Sequence, residues 1–227
     1  MEIHKILNFL EKLEQNNNKK WMDQYRVYYE ESRFIFKEII QQMINNISLF
    51  DSNISDQRVE DCLFRINRNQ RFHKTETYKN YFSAEISREG RHSVYSGYYL
   101  QIQPGNKSFI GAGIYHPDAD ILKKIREGIS YRGEEINDIL NQDYFKRTFY
   151  QFKENKLKRP PKGYDDDHPN IDLIKNKDFI FFREFKDHEV LNENFLPNII
   201  QYCYYLKDFN QYLNTIILES VEEKEFI

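Results

Sequence analysis

The sequence predicts an α+β fold: a mainly antiparallel sheet with a central hairpin, packed by N-terminal helices and a long C-terminal helix. Three observations predict it. Apolar residues recur at three- and four-residue spacing near both ends of the chain. The middle alternates with period two around Pro104-Gly105-Asn106, whose dihedral preferences make a hairpin turn. No β-α-β alternation with Gly-rich turns supports a doubly wound fold.

Each element follows from its own pattern. Ile3, Ile6, Leu7, Leu10 and Leu13 place a first helix. Asn16-Asn17-Asn18 breaks it, because Asn favours turns and helix caps. A second helix is expected through Trp21, Tyr25, Tyr28, Phe36, Ile39, Met43 and Ile47. Asp51 to Asp61 is polar and unperiodic, hence a loop. Phe64, Ile66, Arg68, Gln70 and Phe72 alternate with Arg65, Asn67, Asn69 and Arg71, which predicts a strand. Val94 to Gln103 and Phe109 to Tyr115 supply the hairpin strands. Acids followed by bases from Pro117 to Arg126 suit a helix dipole. Another helix is expected around Glu134 to Asn141. A loop from Leu157 to Asn170 rests on Pro160-Pro161, Gly163 and Pro169, and Asp178 to Phe185 reads as a strand. Phe195, Ile199, Tyr202, Leu206, Phe209, Leu213 and Ile216 step by four and three, giving a helix of about six turns. Its seam is expected to be covered by the sheet rather than by a coiled-coil partner.

Composition narrows the class. With 227 residues the chain can bury a sizeable core, and 1–227 reads as one domain. Its 18 Phe and 17 Tyr exclude a disordered chain. A net charge of −3 argues against coating nucleic acid by bulk charge, while leaving room for a local basic patch. No stretch approaches the ~18 apolar residues of a membrane span. Acids and Lys interrupt the first 20 residues, where a signal peptide needs an apolar core. Cys62 and Cys203 lack C-x-x-C spacing and are expected to be reduced, apolar-behaving thiols. The expected setting is cytoplasmic and soluble, for a monomer with no cofactor, no membrane contact and no obligate protein partner.

Familiar catalytic signatures are missing: there is no G-x-x-x-x-G-K-[ST], H-E-x-x-H or G-x-S-x-G. Gly111-Ala112-Gly113 lies in a predicted strand and signals a bulge or a close backbone approach. The informative segment is Phe64 to Lys74. In a strand, Arg65 and Arg71 share one face, while Arg68 joins Phe64, Ile66 and Phe72 on the core side. A guanidinium stays charged when buried, so Arg68 needs either a carboxylate partner or a bound anion. Lys74, Tyr78 and Lys79 follow and are candidates to converge there. Such a pocket would hold phosphate or carboxylate through bidentate Arg donors. The alternative is an internal salt bridge.

Two further groups of candidates follow. Tyr99, Gln101 and Gln103 fall on one strand face, opposite Tyr98, Leu100 and Ile102, and suit either polar recognition or a solvated sheet. The basic stretch Lys158 to Tyr164 and the acids after it add Lys162, Tyr164 and His168. No metal site is expected there, since adjacent acids on an extended loop point apart and no second His or Glu stands at ligand spacing. A helix cap or an ion pair is the expected role of Asp165, Asp166, Asp167 and His168.

Four stretches, Phe9 to Asp23, Phe64 to Asn80, Gly97 to Pro117 and Leu157 to Pro169, together resemble the bacterial proteins catalogued as domain of unknown function 2461. The likeness spans nearly the whole chain and implies no particular activity. Where the family pattern resembles R-D-x-R-F-S-K-D-K-T-P-Y-K, this chain has Asn69 for the Asp, Glu76 for the second Lys, and no Pro before Tyr78. If the Asp of the family pattern is a general base or an anionic metal ligand, Asn69 can be neither at neutral pH, which favours binding over catalysis in this chain.

The function expected is binding of a small anionic ligand or nucleic-acid backbone through Arg65, Arg68, Arg71 and Lys79. One alternative is a hydrolase or transferase with Tyr78 or His168 as acid/base. Another is a structural or interaction module whose Arg side chains close internal ion pairs.

Overall fold

The computed structural model describes residues 2–68, 77–152 and 155–225, with side chains through residue 219. Its helices are α1 (Ile3–Gln15), α2 (Lys19–Gln24), α3 (Arg26–Ile47), α4 (Val59–Cys62), α5 (Ala119–Tyr131), α6 (Gly133–Asn141), α7 (Asp143–Thr148), α8 (Ile171–Ile174), α9 (Asp187–Val190) and α10 (Phe195–Glu225). The strands are β1 (Phe82–Ile86), β2 (Gly97–Ile102), β3 (Ser108–Ile114), β4 (Tyr150–Gln151) and β5 (Phe179–Phe185). They form one antiparallel sheet in the order β1-β2-β3-β5-β4. This is the α+β class that the sequence predicts. Among the described residues no helix is long and apolar enough to cross a membrane.

The chain divides into two compact units. The first comprises Met1–Arg91, Tyr99–Ile110 and Glu184–Tyr204, and the second His92–Tyr98, Gly111–Arg183 and Tyr205–Ile227.

Unit 1 is built on α1 and α3. Ile6, Leu10 and Leu13 of α1 are fully buried, as are Ile39, Ile40 and Met43 of α3. Phe82 of β1 stacks on Phe36 at 5.6 Å and on Phe9 at 6.3 Å. The expected second helix is in fact two. Asn18 caps α2 by accepting from Trp21 N–H at 3.0 Å, and Tyr25, with ψ of 21°, separates α2 from α3. The expected loop Asp51–Asp61 contains a 3-10 turn at Ser52–Ile54 and the start of α4, because Ile54, Val59 and Cys62 are drawn into the core. At the hairpin tip Gly105 and Asn106 both have positive φ, 79° and 62°. The Asp187 carboxylate accepts both of their N–H groups at 2.9 Å. Cys62 and Cys203 are both buried and free, and burial pushes the Cys62 thiol up to about 12.

The strand expected from Phe64 to Phe72 is not formed in its described part. Phe64 N–H donates to Ser83 O at 3.0 Å, and Arg68 N–H donates to Thr77 O at 3.0 Å. These contacts belong to two isolated antiparallel bridges, Leu63↔Ala84 and Asn67↔Tyr78. The two bridges differ in register by two residues, so one ladder cannot run through both. Arg71, Lys74, Asn69 and Glu76 lie outside the described residues.

Asn17 does more than break a helix. Its Oδ1 accepts from Thr77 N–H at 3.1 Å and Tyr78 N–H at 2.8 Å, and its Nδ2 donates to Tyr78 O at 2.9 Å. One amide side chain thus serves as backbone partner for a segment sixty residues away in sequence. Asn17→Ala leaves those donors unpaired and is expected to lower stability by about 1–3 kcal/mol, read as the urea midpoint at unchanged slope.

Unit 2 packs aromatic rings from three elements. Phe181 of β5 meets Phe145 of α7 and Phe209 of α10 edge-on, each at 5.0 Å. The α10 seam residues Leu206, Phe209, Leu213 and Ile216 are buried as expected, but α10 runs for 31 residues and is longer than the seam indicates. Gly111 and Gly113 lie against the β5 backbone: a Cβ at Gly111 would stand 3.0 Å from Phe181 O. The close approach read from Gly-Ala-Gly is therefore present.

Candidate functional site

Lys162, Tyr164 and His168 come together in unit 2, where they line a cavity of about 470 Å³ with Lys123, Arg126, Glu127 and Ser130 of α5. Helix α5 is placed by its cap and its apolar stripe. Asp118 accepts from Ile121 N–H at 2.8 Å, and Ile121, Ile125 and Ile129, one turn apart, are buried. That burial turns the polar face carrying Lys123, Arg126, Glu127 and Ser130 toward the loop. The loop is folded by turns from Tyr164 N–H to Pro161 O (3.2 Å) and from His168 N–H to Asp165 O (3.3 Å). Its ends are tied down: Leu157 N–H donates to Lys175 O at 2.8 Å, and buried Asn170 accepts from Asn137 Nδ2 at 2.8 Å. Asp166 pairs with Lys175 at 2.8 Å, which meets the ion-pair role expected in this acidic run.

Arg126 is an anchored cation in the cavity wall. Its Nε donates to Ile174 O at 2.9 Å and its Nη2 to Asn176 O at 3.2 Å. These carbonyls anchor the guanidinium without neutralising it. Among the described residues no carboxylate stands within ion-pair distance of Arg126; the neighbouring Glu127 pairs instead with Lys123 at 3.7 Å. Burial pushes the guanidinium below its ordinary value, yet an arginine stays charged at neutral pH. Beside it, burial raises the Tyr164 phenol, and the charge of Glu127 raises it further. Tyr164 is therefore a neutral hydroxyl donor at physiological pH.

His168 has a fixed tautomer. Its Nδ1 accepts from Asn170 N–H at 3.1 Å, which places the proton of the neutral ring on Nε2. Nε2 lies 3.0 Å from Ser130 Oγ, so the ring donates and the hydroxyl accepts. The Ser130 proton is then directed elsewhere. In this arrangement His168 orients Ser130 as a donor and cannot take its proton, so the pair is not a nucleophile and its base.

The other candidates belong to unit 1. Arg65 is exposed, Ile66 buried and Arg68 half-buried. Arg68 Nε donates to Tyr78 O at 3.1 Å. Tyr78 is 7% exposed, and its backbone supplies the contacts to Asn17 and Arg68, while its ring packs inside. The Lys79 ammonium stands 5.5 Å from the Phe64 and Tyr81 ring centroids. Tyr99, Gln101 and Gln103 do share the open face of β2 and its extension. They form a relay from Tyr99 OH to Gln101 (3.0 Å), Gln101 to Gln103 (2.7 Å) and Gln103 to Asn80 (3.2 Å), so their amides are engaged with one another. The residues read together from the sequence thus separate into a group in each unit. Arg126 and Ser130 were missed. Their signal was the polar face opposite Ile121, Ile125 and Ile129, visible as spacing, although nothing in the spacing says what it faces. Among the described residues no three His, Cys, Asp or Glu side chains are placed to hold a metal ion.

A family model described as a conserved hypothetical protein (DUF2461) matches residues 5–212. No curated protein and no solved structure matches the chain.

Proposed function

The chain belongs to the DUF2461 family of conserved hypothetical proteins, and from the geometry of its cavity between α5 and the 157–170 loop we propose that it binds a small ligand bearing a phosphate or carboxylate. One observation carries the reading: Arg126 is a partly buried, anchored guanidinium with no acid against it among the described residues, at the wall of a cavity. A desolvated cation without a counter-ion is costly, and an anionic ligand supplies the missing charge. Ser130, held as a donor by His168, and the neutral phenol of Tyr164 add hydrogen bonds, and Lys123 and Lys162 add positive charge at the rim. Glu127, Asp165 and Asp167 line the same cavity, so a ligand with hydroxyl or amino groups beside its anion fits better than a bare phosphate. The tautomer of His168 favours binding over hydrolysis. The buried thiols suit a reducing, cytoplasmic setting.

Calorimetric titration with inorganic phosphate, a sugar phosphate and a dicarboxylate tests the reading. Wild type is expected to bind at least one of them. Ser130→Ala should weaken that binding about 5–10-fold, and Arg126→Gln by roughly 10–100-fold, as expected for one neutral and one charged hydrogen-bonding partner. Circular dichroism checks the fold of Arg126→Gln, whose side chain also holds two carbonyls. Equal affinity for all three proteins, or no heat with any ligand, would sink the idea.

A further inference from the structure

Unit 1 holds a second cavity, a groove of about 250 Å³ between α1 and the α2–α3 pair. Helix α1 buries Ile3, Ile6, Leu7, Leu10 and Leu13, which leaves His4, Asn8 and Lys12, each one turn from the next, along one bank. The opposite bank is aromatic. Trp21 and Tyr25 stack at 4.5 Å and 17°, and Tyr28 continues the row at 5.9 Å. Helical spacing reads these rings as part of a buried seam, yet Tyr28 is 59% exposed and Trp21 and Tyr25 are only half-buried. Phenol and indole donors ordinarily find a partner where protein covers them. Here the Trp21 indole N–H, both phenols, the Asn8 amide and the Lys12 ammonium bond to no described residue. The carboxylate of the lining, Glu31, is taken by Lys5 at 2.6 Å. Among the described lining residues Lys12 is thus the lysine without an acid against it.

We propose that this groove binds a nucleoside monophosphate, with its base against the rings at the Tyr28 end and its phosphate on Lys12. Exposed aromatic rings are sequence-tolerant platforms for nucleobases, because every base has a π-face. Trp21 and Tyr25 already touch, so the base extends the row at its exposed end and does not enter it. The phenols, the indole and Asn8 supply hydrogen bonds to base and ribose. The Lys5–Glu31 pair marks one end of the groove and Lys12 the other, roughly 10 Å apart along the axis of α1. That length accommodates a base, a ribose and a phosphate. A neutral sugar would leave Lys12 without a counter-charge. A nucleic-acid strand needs a track of several cations, and the chain as a whole carries a net charge of −3.

Trp21 is the single tryptophan of the chain, so its fluorescence reports on this groove. Excited at the red edge of the indole band, it should be quenched saturably by adenosine monophosphate, more weakly by adenosine, and not by inorganic phosphate. Tyr28→Ala should weaken both adenine ligands roughly tenfold, within the contribution of one stacking ring. Tyr28→Phe, which keeps the ring, should retain most of the affinity. Lys12→Gln should weaken adenosine monophosphate about 3–5-fold, as for one exposed ion pair, and leave adenosine unchanged. Tyr28 and Lys12 are both exposed, so neither change reaches the core, and circular dichroism checks the fold. No saturable quenching by adenosine monophosphate, or equal affinity in Tyr28→Ala, would overturn the proposal. Quenching by maltose as strong as by the nucleotide would overturn the base as the group recognised, and an unchanged Lys12→Gln would overturn the placing of the phosphate. An oligodeoxyadenylate that binds more than about tenfold tighter would overturn the choice of a free nucleotide over a strand. Arg126→Gln should leave the Trp21 titrations as they are, so failure at this groove and failure at the Arg126 cavity are read separately.

Discussion

Gly113→Ala is expected to lower the stability of the chain by about 3–5 kcal/mol, a large share of the 5–15 kcal/mol that typically holds a domain together. Two terms add. Gly113 has φ of +129°, a region that costs a side-chain-bearing residue roughly 1–3 kcal/mol. An added Cβ would also overlap the Phe179 carbonyl oxygen and crowd Ile180 Cα. Those atoms are backbone of β5, so no rotamer change relieves the contact, and overpacking costs a further 1–3 kcal/mol or so. Strands β3 and β5 adjoin within the five-stranded sheet, which limits how far either can shift. Gly111→Ala is the internal control. Gly111 is not among the glycines with positive φ, and its nearest obstruction is at 3.0 Å, so the expected loss is smaller. Thermal unfolding should show Gly113→Ala melting roughly 10 °C below wild type, with Gly111→Ala between them. A Gly113→Ala protein that melts with wild type would show that the close approach is not required.

Asp178→Ala is the second large loss expected, about 3 kcal/mol, and it should reach the candidate site. Asp178 is 2% exposed. Its Oδ1 accepts from His116 N–H at 2.7 Å and its Oδ2 from Asn155 Nδ2 at 2.7 Å. The first bond satisfies a residue at positive φ, 51°, just after β3. The second fixes the residue before the Lys156↔Asn176 bridge, where the loop bearing Lys162, Tyr164 and His168 begins. Removing the carboxylate leaves two donors unpaired, each costing about 1–3 kcal/mol if it stays buried. Asp178→Asn tests the geometry differently, because an amide can accept from only one of them. Hydrogen exchange at the Leu157 and Lys177 amides should quicken in Asp178→Ala, and any ligand affinity measured for the Arg126 cavity should fall with it. Unchanged exchange at both amides would separate the Asp178 network from the loop.

Local patterns carried most of the fold. The helical stripes of α1, α5 and α10 and the hairpin around Gly105 were legible because period and turn chemistry are properties of neighbouring residues. The site was legible only in pieces. Lys162, Tyr164 and His168 stood out by composition, but the partners that make them a cavity come from α5, in a different part of the chain, where Arg126 reads as one base among several. The Arg68 strand failed for a related reason. Alternation was present, yet pairing with both Ser83–Ala84 and Thr77–Tyr78 requires a register change that no residue pattern announces.

By itself, then, the sequence determined the α+β class, the family and the positions of the longest elements, since hydrophobic period fixes which face must be buried. Tertiary structure alone decided which charged groups lose their water and which meet a counter-charge. At Arg126 packing removes solvent, and among the described residues it supplies no acid within ion-pair distance. Desolvation depends on everything that closes over a side chain, and that is set by segments far away in sequence.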